Sequence, residues 1–455
     1  MHRDRPHHIV ALLAVVALVA GCGGTAANPP TLDSASAPSP TTTPTVTESP
    51  DPSSSLGPAT PTPSSVPTVP ASFPVVASAQ DAGVSMVPGP DGSLYVAVTR
   101  CREEHPEICT TVVAALDEEG AIQPGWPAVG RSIPAEVLGD RYEVRDAVGE
   151  GARLVRIKAD GTVRLGAVVP VGWDAVASPA GTAFFVRRAD PELEGSLTIT
   201  AFDLDGVVPG WPIQLRGDIS DPTPGPNGRV YLVQQTSTED PGGGVRLGPA
   251  RIIVLGPNGK PWAEWSVSLP EALPHRGSWA DPYMPMPPLV AADGSAWLVT
   301  DTTATAVDAT GRIRPGWPYR ASASLGPVGW CPPCDLCGVP CAIDCSDWRT
   351  TPILGPDNVL YLLQDAPSST TGGQISAIGL DGKMRDGWPV QLRRPKATFN
   401  SAVLGPDGTL YALVIEPETY RDPPADSSCV ATESATVLAI DPDGQVRYRV
   451  TVVEP

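Results

Sequence analysis

Histidine is nearly absent from this chain of 455 residues: five occur, and His2, His7 and His8 precede the first apolar run. The two left beyond that run, His105 and His275, are too few for a multi-histidine metal centre. Positive charge is also scarce, with 31 Lys and Arg against 50 Asp and Glu, a net charge of −19 and a pI near 4.6. A broad phosphate-binding face needs clustered Lys and Arg, so nucleic acid is not an expected partner. No G-x-S-x-G, Walker loop, H-E-x-x-H or Rossmann fingerprint occurs. Gly (45) and Pro (55) make up more than a fifth of the chain, which leaves little room for long helices. An apolar share of 41% is still compatible with a buried core.

The N-terminus MHRDRPHHIVALLAVVALVAGCGG holds the one long apolar run, twelve residues from Ile9 to Ala20 behind a basic stretch. That length suits a signal-peptide core and is too short to span a bilayer. Val19-Ala20-Gly21-Cys22 resembles a bacterial lipobox, with residues 1–21 removed and Cys22 lipidated. No paired arginines precede the run, which favours general secretion over the twin-arginine route. The chain is therefore expected in an oxidising compartment, anchored to the outer face of a bacterial membrane. From Gly23 to Ser72, fifty residues carry 12 Pro and 20 Ser or Thr, with almost no large apolar side chains. Such a segment cannot offset its ordering entropy by burial, so 22–72 reads as a disordered tether reaching about 150 Å at full extension.

Beyond the tether the sequence repeats. One half-unit recurs as GPDGSLYVAV (89–98), GPNGRVYLVQ (225–234), AADGSAWLVT (291–300), GPDNVLYLLQ (355–364) and GPDGTLYALV (405–414). The other recurs as ALDEEGAIQPGWP (115–127), AFDLDGVVPGWP (201–212), AVDATGRIRPGWP (306–318) and AIGLDGKMRDGWP (377–389), with weaker copies between. Asp-Gly and Asn-Gly supply positive-φ hairpin turns, and runs such as LYVAV and LYLLQ have strand length and composition. Gly-Trp-Pro is expected to end the last strand of a unit and leave Trp126, Trp211, Trp317 and Trp388 to pack between units. Turns at Gly92, Gly139–Asp140, Gly181, Gly228, Gly294, Asn358 and Gly408 recur every 41 to 66 residues. That period suits four-stranded propeller blades. The expected fold is all-β: a single β-propeller over 73–455, of seven four-stranded blades, with six or eight as alternatives. Its second blade is the most degenerate.

The order Gly-Asp-Gly, LYV strand, loop, A-x-D-x-x-G, Trp resembles the pyrroloquinoline-quinone-like propeller superfamily over about residues 74–455. That superfamily includes quinoprotein dehydrogenases and non-catalytic outer-membrane assembly lipoproteins. The Gly-Trp-Pro variant is also similar to secreted integrin-type repeat proteins. The resemblance implies a fold, and function has to be argued from a site.

With blade strands named A to D from the channel outward, the A–B and C–D turns share one face, and the B–C and D–A connections share the other. The insertions Cys101–Cys109, Gln235–Leu247, Pro270–Pro288, 329–345, Asp365–Gly373 and Glu416–Ser434 all fall on the second. Loop length gathered on one face points to function there. Cys101 and Cys109 flank a hairpin mouth and are read as a disulfide. GWCPPCDLCGVPCAIDC contributes Cys331, Cys334, Cys337, Cys341 and Cys345, and Cys429 on the same face makes an even set with fifteen possible pairings. A thioredoxin-like WCPPC, a ferredoxin-like ligand set and a zinc knuckle are the competing readings. Disulfides are preferred inside a β-repeat of an exported chain.

In EALPHRGSWADPYMPMPP (271–288), His275, Arg276, Trp279, Asp281 and Tyr283 set rings beside charged groups, as a sugar or peptide site requires. The competing reading is a loop pinned by its own prolines. The charged tip at Arg102–His105 reads as a solvated turn. The Asp203–Gly206 and Asp441–Gly444 turns resemble calcium-loop fragments but lack the downstream carboxylate, so no metal is assigned. These residues favour a monomeric, surface-tethered, non-catalytic propeller that binds a protein, peptide or envelope glycan and takes no cofactor. The alternatives are a quinoprotein-like oxidoreductase using calcium and pyrroloquinoline quinone, a sugar-active enzyme, or thiol redox through 329–345.

Overall fold

The computed structural model describes residues 73–76, 82–102, 105–130, 132–146, 151–169, 175–188, 196–239, 245–267, 269, 285–300, 302–321, 352–364, 372–394, 397–417 and 433–454. Cys22, the leader and tether, residues 329–345, Cys429 and all five candidates from His275 to Tyr283 lie outside them. Among the described residues, no helix is long and apolar enough to cross a membrane.

Seven antiparallel sheets form a seven-bladed β-propeller. Blade 1 is typical: Ala82–Pro88, Leu94–Arg102, His105–Leu116 and Ala128–Val129 pair in sequence order. Most sheets are buried on both faces of their middle strands, which therefore read as nearly unbroken apolar runs. Alternate residues then serve different neighbours. In blade 5, Ala296 and Leu298 join a core shared with blade 4, whereas Trp297 joins one shared with blade 6. Six such cores link blades 2 to 3, 3 to 4, 4 to 5, 5 to 6, 6 to 7 and 7 to 1.

The ring closes through the last of these. Leu94, Val96 and Val98 of blade 1 pack with Tyr411, Leu413, Val437 and Val452 of blade 7. Val75–Val76 adds a fifth strand to blade 7, parallel to Val446–Glu454, with Val75 opposite Val453. Tyr411 donates its hydroxyl to the Gly92 carbonyl at 3.0 Å, tying blade 7 to the first turn of blade 1. Burial, reinforced by Asp407, lifts the Tyr411 phenol to about 12. Because the folded value lies above the unfolded one, this contribution is intact below pH 10 and is lost as pH climbs toward 12. Thermal melts of the wild type should therefore fall across that window, and Tyr411→Phe should fall less steeply. Parallel curves would rule Tyr411 out as the cause.

One expectation needs correction. It concerns Gly-Trp-Pro, which interrupts the outer strand without ending it. In blade 6, Ile378 bridges Met384 before the motif, and Ile375 pairs with Val390 after it. Between them Arg385-Asp386-Gly387-Trp388 makes a turn, with Trp388 N–H donating to the Arg385 carbonyl at 3.2 Å and Gly387 at φ +82°. The same excursion occurs at Trp126, Trp211 and Trp317, and all four Trp–Pro bonds are cis. It ejects a tryptophan sideways while the ladder resumes beyond it.

Where that tryptophan lands is informative. Trp211 Nε1 donates to the Pro257 carbonyl of blade 4 at 3.0 Å. Trp317 reaches Leu380 of blade 6 at 3.0 Å, and Trp388 reaches Pro442 of blade 7 at 3.2 Å. Each ring thus covers the C–D turn of the following blade. Trp265 takes the same place over Gly311 of blade 5, and Tyr448 over Gly120 of blade 1. Within its own blade, Trp388 packs on Tyr361 edge-on at 5.5 Å, Trp211 on Phe184 at 5.8 Å and Trp126 on Tyr95 at 5.7 Å. Trp126 is half-buried, and nothing lies within 4 Å of a Cβ built on its neighbour Gly125.

Blade 2 is the most degenerate, as its sequence implies. Its described strands are Arg141–Asp146, Ala152–Ile157 and Val163–Val169. Gly181 of blade 3 abuts the Tyr142 ring as Gly294 of blade 5 abuts the Tyr231 hydroxyl, so Tyr142 marks strand B. The place of strand A is taken by a one-turn helix, α1 (Ala135–Leu138), lying against the innermost strand of blade 1. Among the described residues, none of the six cores joins blade 1 to blade 2.

Candidate functional site

The two faces of the ring differ in how their connections are built. On the short-turn face, aspartates close the turns upon themselves. Asp91 Oδ1 accepts from Ser93 N and Oγ at 3.2 and 2.6 Å, and Asp308 Oδ1 from Thr310 N and Oγ1 at 2.8 and 2.7 Å. Hydrogen bonds from Ser93 and Thr310 hold these two carboxyls below their usual range. Asp203 Oδ1 accepts from Asp205 N and Gly206 N, and Asp441 pairs with Arg447. The acidic character of this face is thus largely committed to turn geometry. A shallow cavity of about 330 Å³ between blades 7 and 1 is lined by Glu118, Glu119, Asp407 and Arg447. Arg447 lies 3.6 Å from Asp407 there. Among the described residues no group of three His, Cys, Asp or Glu is placed to hold a metal.

The opposite face is uneven. Blades 5 and 6 keep short B and C strands, Ala296–Val299 with Thr303–Val307 and Leu360–Gln364 with Gln374–Ile378. Blade 1 (Leu94–Arg102, His105–Leu116), blade 4 (Val230–Glu239, Val245–Leu255) and blade 7 (Leu410–Pro417, Glu433–Ile440) run well past that level. The Gln235–Leu247 insertion, expected as a loop, is mostly ladder: Glu239 still pairs with Val245 after a bulge at Gln235–Ser237. Thr236, Thr238 and Val245, residue types that favour strands, sustain pairing where a turn was anticipated. In blade 1, Cys101 stands directly opposite Cys109 in the register.

Beneath the hairpins, the B strands end in buried polar side chains, each needing a partner. Gln364 Oε1 accepts from Gln374 Nε2 at 2.6 Å and Ser376 Oγ at 3.0 Å. Thr300 Oγ1 meets Thr303 Oγ1 at 2.7 Å. Glu416, 5% exposed, is held by Arg394 at 2.9 Å and Arg449 at 3.1 Å. A carboxylate clamped by two guanidinium groups anchors the rim. Sequence reasoning passed over Glu416, Arg394 and Arg449. The polar residue closing each apolar run (LYLLQ, AWLVT, ALVIE) was the available signal.

No family model and no curated protein matches the chain. Solved structures similar to it include a Synechocystis apocarotenoid oxygenase mutant, 11% identical over 81% of this chain and 91% of that one, with a TM-score of 0.38. A puromycin hydrolase is 17% identical over 78% and 63%, with a TM-score of 0.33. A Bacteroides caccae protein of unknown function is 11% identical over 66% and 89%, with a TM-score of 0.27. Likeness this slight carries nothing about activity.

Proposed function

We propose that this chain is a non-catalytic β-propeller, tethered through lipidated Cys22 to the outer face of a bacterial membrane. In this reading it binds a protein, peptide or envelope glycan through the face from which the B–C hairpins project. The supporting observation is that asymmetry: the hairpins of blades 1, 4 and 7 outgrow those of blades 5 and 6 on one face only. The carboxyls of the other face are engaged in their own turns. A Cys101–Cys109 bond would stiffen the blade 1 hairpin, and stiff projecting elements lose less entropy on binding. The repeat pattern resembles that of the pyrroloquinoline-quinone-like group, here without an assigned cofactor.

Capture from envelope extracts by the full chain tests the reading. Removing the paired tip between Ser237 and Leu247 should abolish capture, whereas Trp262→Ala on the short-turn face should leave it intact. Capture unaffected by the tip deletion would refute the assignment of the face. Radiolabelled palmitate should mark the wild type and not Cys22→Ser.

A further inference from the structure

Blade 2 carries an arrangement that no other blade repeats. On strand B of blades 5, 6 and 7, the residues turned toward the preceding blade are aliphatic: Ala296 and Leu298, Leu360 and Leu362, Leu410 and Ala412. Blade 1 likewise presents Leu94, Val96 and Val98. In blade 2 those positions hold Arg141, Glu143 and Arg145. Glu143 bridges both arginines, Arg141 Nε at 2.7 Å and Arg145 Nη2 at 2.8 Å. Burial alone would raise the Glu143 carboxyl, but Arg145 and Arg141 outweigh it and hold the group below its usual range.

One carboxylate does not balance this face. The register places Arg153 directly opposite Arg145, so the two side chains share one side of the sheet. Like charges in that relation repel. Arg153 is only partly exposed and has no ion pair or hydrogen bond among the described residues. Arg141 Nη1 is buried without an acceptor. Among the described residues, three guanidinium groups therefore face one carboxylate, in a protein whose net charge is −19. Apolar groups flank them: Val168 pairs with Arg153 and Leu165 with Val155, and these side chains are 37% and 57% exposed. Arg145 and Arg153 lie at the ends of the strands that flank the B–C connection, and Arg141 lies at the opposite end of the same strand.

We infer that Arg141, Arg145 and Arg153, bordered by Val168 and Leu165, form a docking surface for an acidic, leucine-rich peptide segment. Carboxylates of the peptide occupy the guanidinium forks, and its apolar side chains cover the outer strand. The inference rests on the proposed binding face and specifies one partner chemistry at one of its blades.

The probe is a fluorescein-labelled peptide of alternating glutamate and leucine, compared with its glutamine counterpart, against the full chain. Wild type should bind the glutamate peptide about tenfold or more tightly than the glutamine one, with affinity falling as salt rises. Arg145→Gln/Arg153→Gln should lose that preference, and Arg164→Gln, on the other side of the same sheet, should keep it. Folding is followed in parallel. Arg153→Gln should melt at the wild-type temperature or higher, since it relieves a repulsion. A lower melting temperature would mean that the guanidinium is already satisfied within the chain, and would overturn the inference. So would equal affinity of wild type and double variant, or no binding of the glutamate peptide. Envelope capture retained by a double variant whose peptide binding equals wild type overturns this inference and leaves the binding face standing. Capture that survives the blade 4 tip deletion, with the peptide preference intact, does the reverse.

Discussion

Trp388→Ala is expected to destabilise the propeller by about 3–5 kcal/mol, the usual range for truncating a buried aromatic. The ring is 7% exposed, packs on Tyr361 at 5.5 Å and donates to the Pro442 carbonyl of the next blade. Its removal opens a cavity within one blade and leaves a carbonyl of another short of a donor. Trp126→Ala should cost about 1–2 kcal/mol, because a half-buried ring has less area to lose. Trp126 keeps the partner in its own blade, Tyr95, and among the described residues makes no hydrogen bond to blade 2. Urea midpoints of the two variants measure the contrast. Equal losses would show that the docking of tryptophan on the following blade contributes little.

Gly387→Ala is the second large effect, and it isolates backbone approach from ring packing. Two terms act on it. A positive φ disfavours any Cβ by about 1–2 kcal/mol, and Gly387 (φ +82°) shares that with Gly125 (φ +87°). The other term belongs to Gly387 alone: its Cβ would run into the Asp443 carbonyl of blade 7. Backbone cannot swing aside as a long side chain can, and overpacking of this kind adds about 1–3 kcal/mol. Gly387→Ala should therefore cost about 2–5 kcal/mol and Gly125→Ala about 1–2 kcal/mol. Gly316, which meets the Asp381 carbonyl, should behave like Gly387. Matching midpoints for Gly387→Ala and Gly125→Ala would refute the close approach.

Both contrasts locate one atypical seam. At five junctions an aromatic from the outer edge of one blade covers the next C–D turn. Between blades 2 and 3 the contact is main chain, with Ala167 N–H donating to the Leu204 carbonyl at 2.9 Å. Between blades 1 and 2 neither device occurs among the described residues. Helix α1 replaces a strand there, and Arg-x-Glu-x-Arg replaces an aliphatic row. The degenerate turn at Gly139–Asp140 was the one trace of this in the repeat pattern.

Much of the architecture was legible from the residues because its causes are local. Asp-Gly and Asn-Gly set the hairpins, short aromatic and β-branched runs set the strands, and the recurrence of both set seven units. A blade has two buried faces, and a run such as LYLLQ records that directly. Helix α1 was not legible: Ala-Glu-Val-Leu is too short to show a helical period. The resumption of the outer strand beyond Gly-Trp-Pro was hidden too, since Pro and Gly look like a terminus until their ladder partners are known. The candidate face was read from insertion lengths. The binding candidates at 271–288 and the cysteines of 329–345 lie outside the described residues.

What the sequence determined by itself was the unit, its count and the side of the ring on which length accumulates, because turn chemistry and strand propensity act within a few residues. What only the tertiary structure decided was where each unit meets the next. Trp388 and Pro442, Tyr411 and Gly92, or Arg145 and Arg153 become neighbours through ring closure and ladder register. Those are relations between distant segments, and no local preference encodes them.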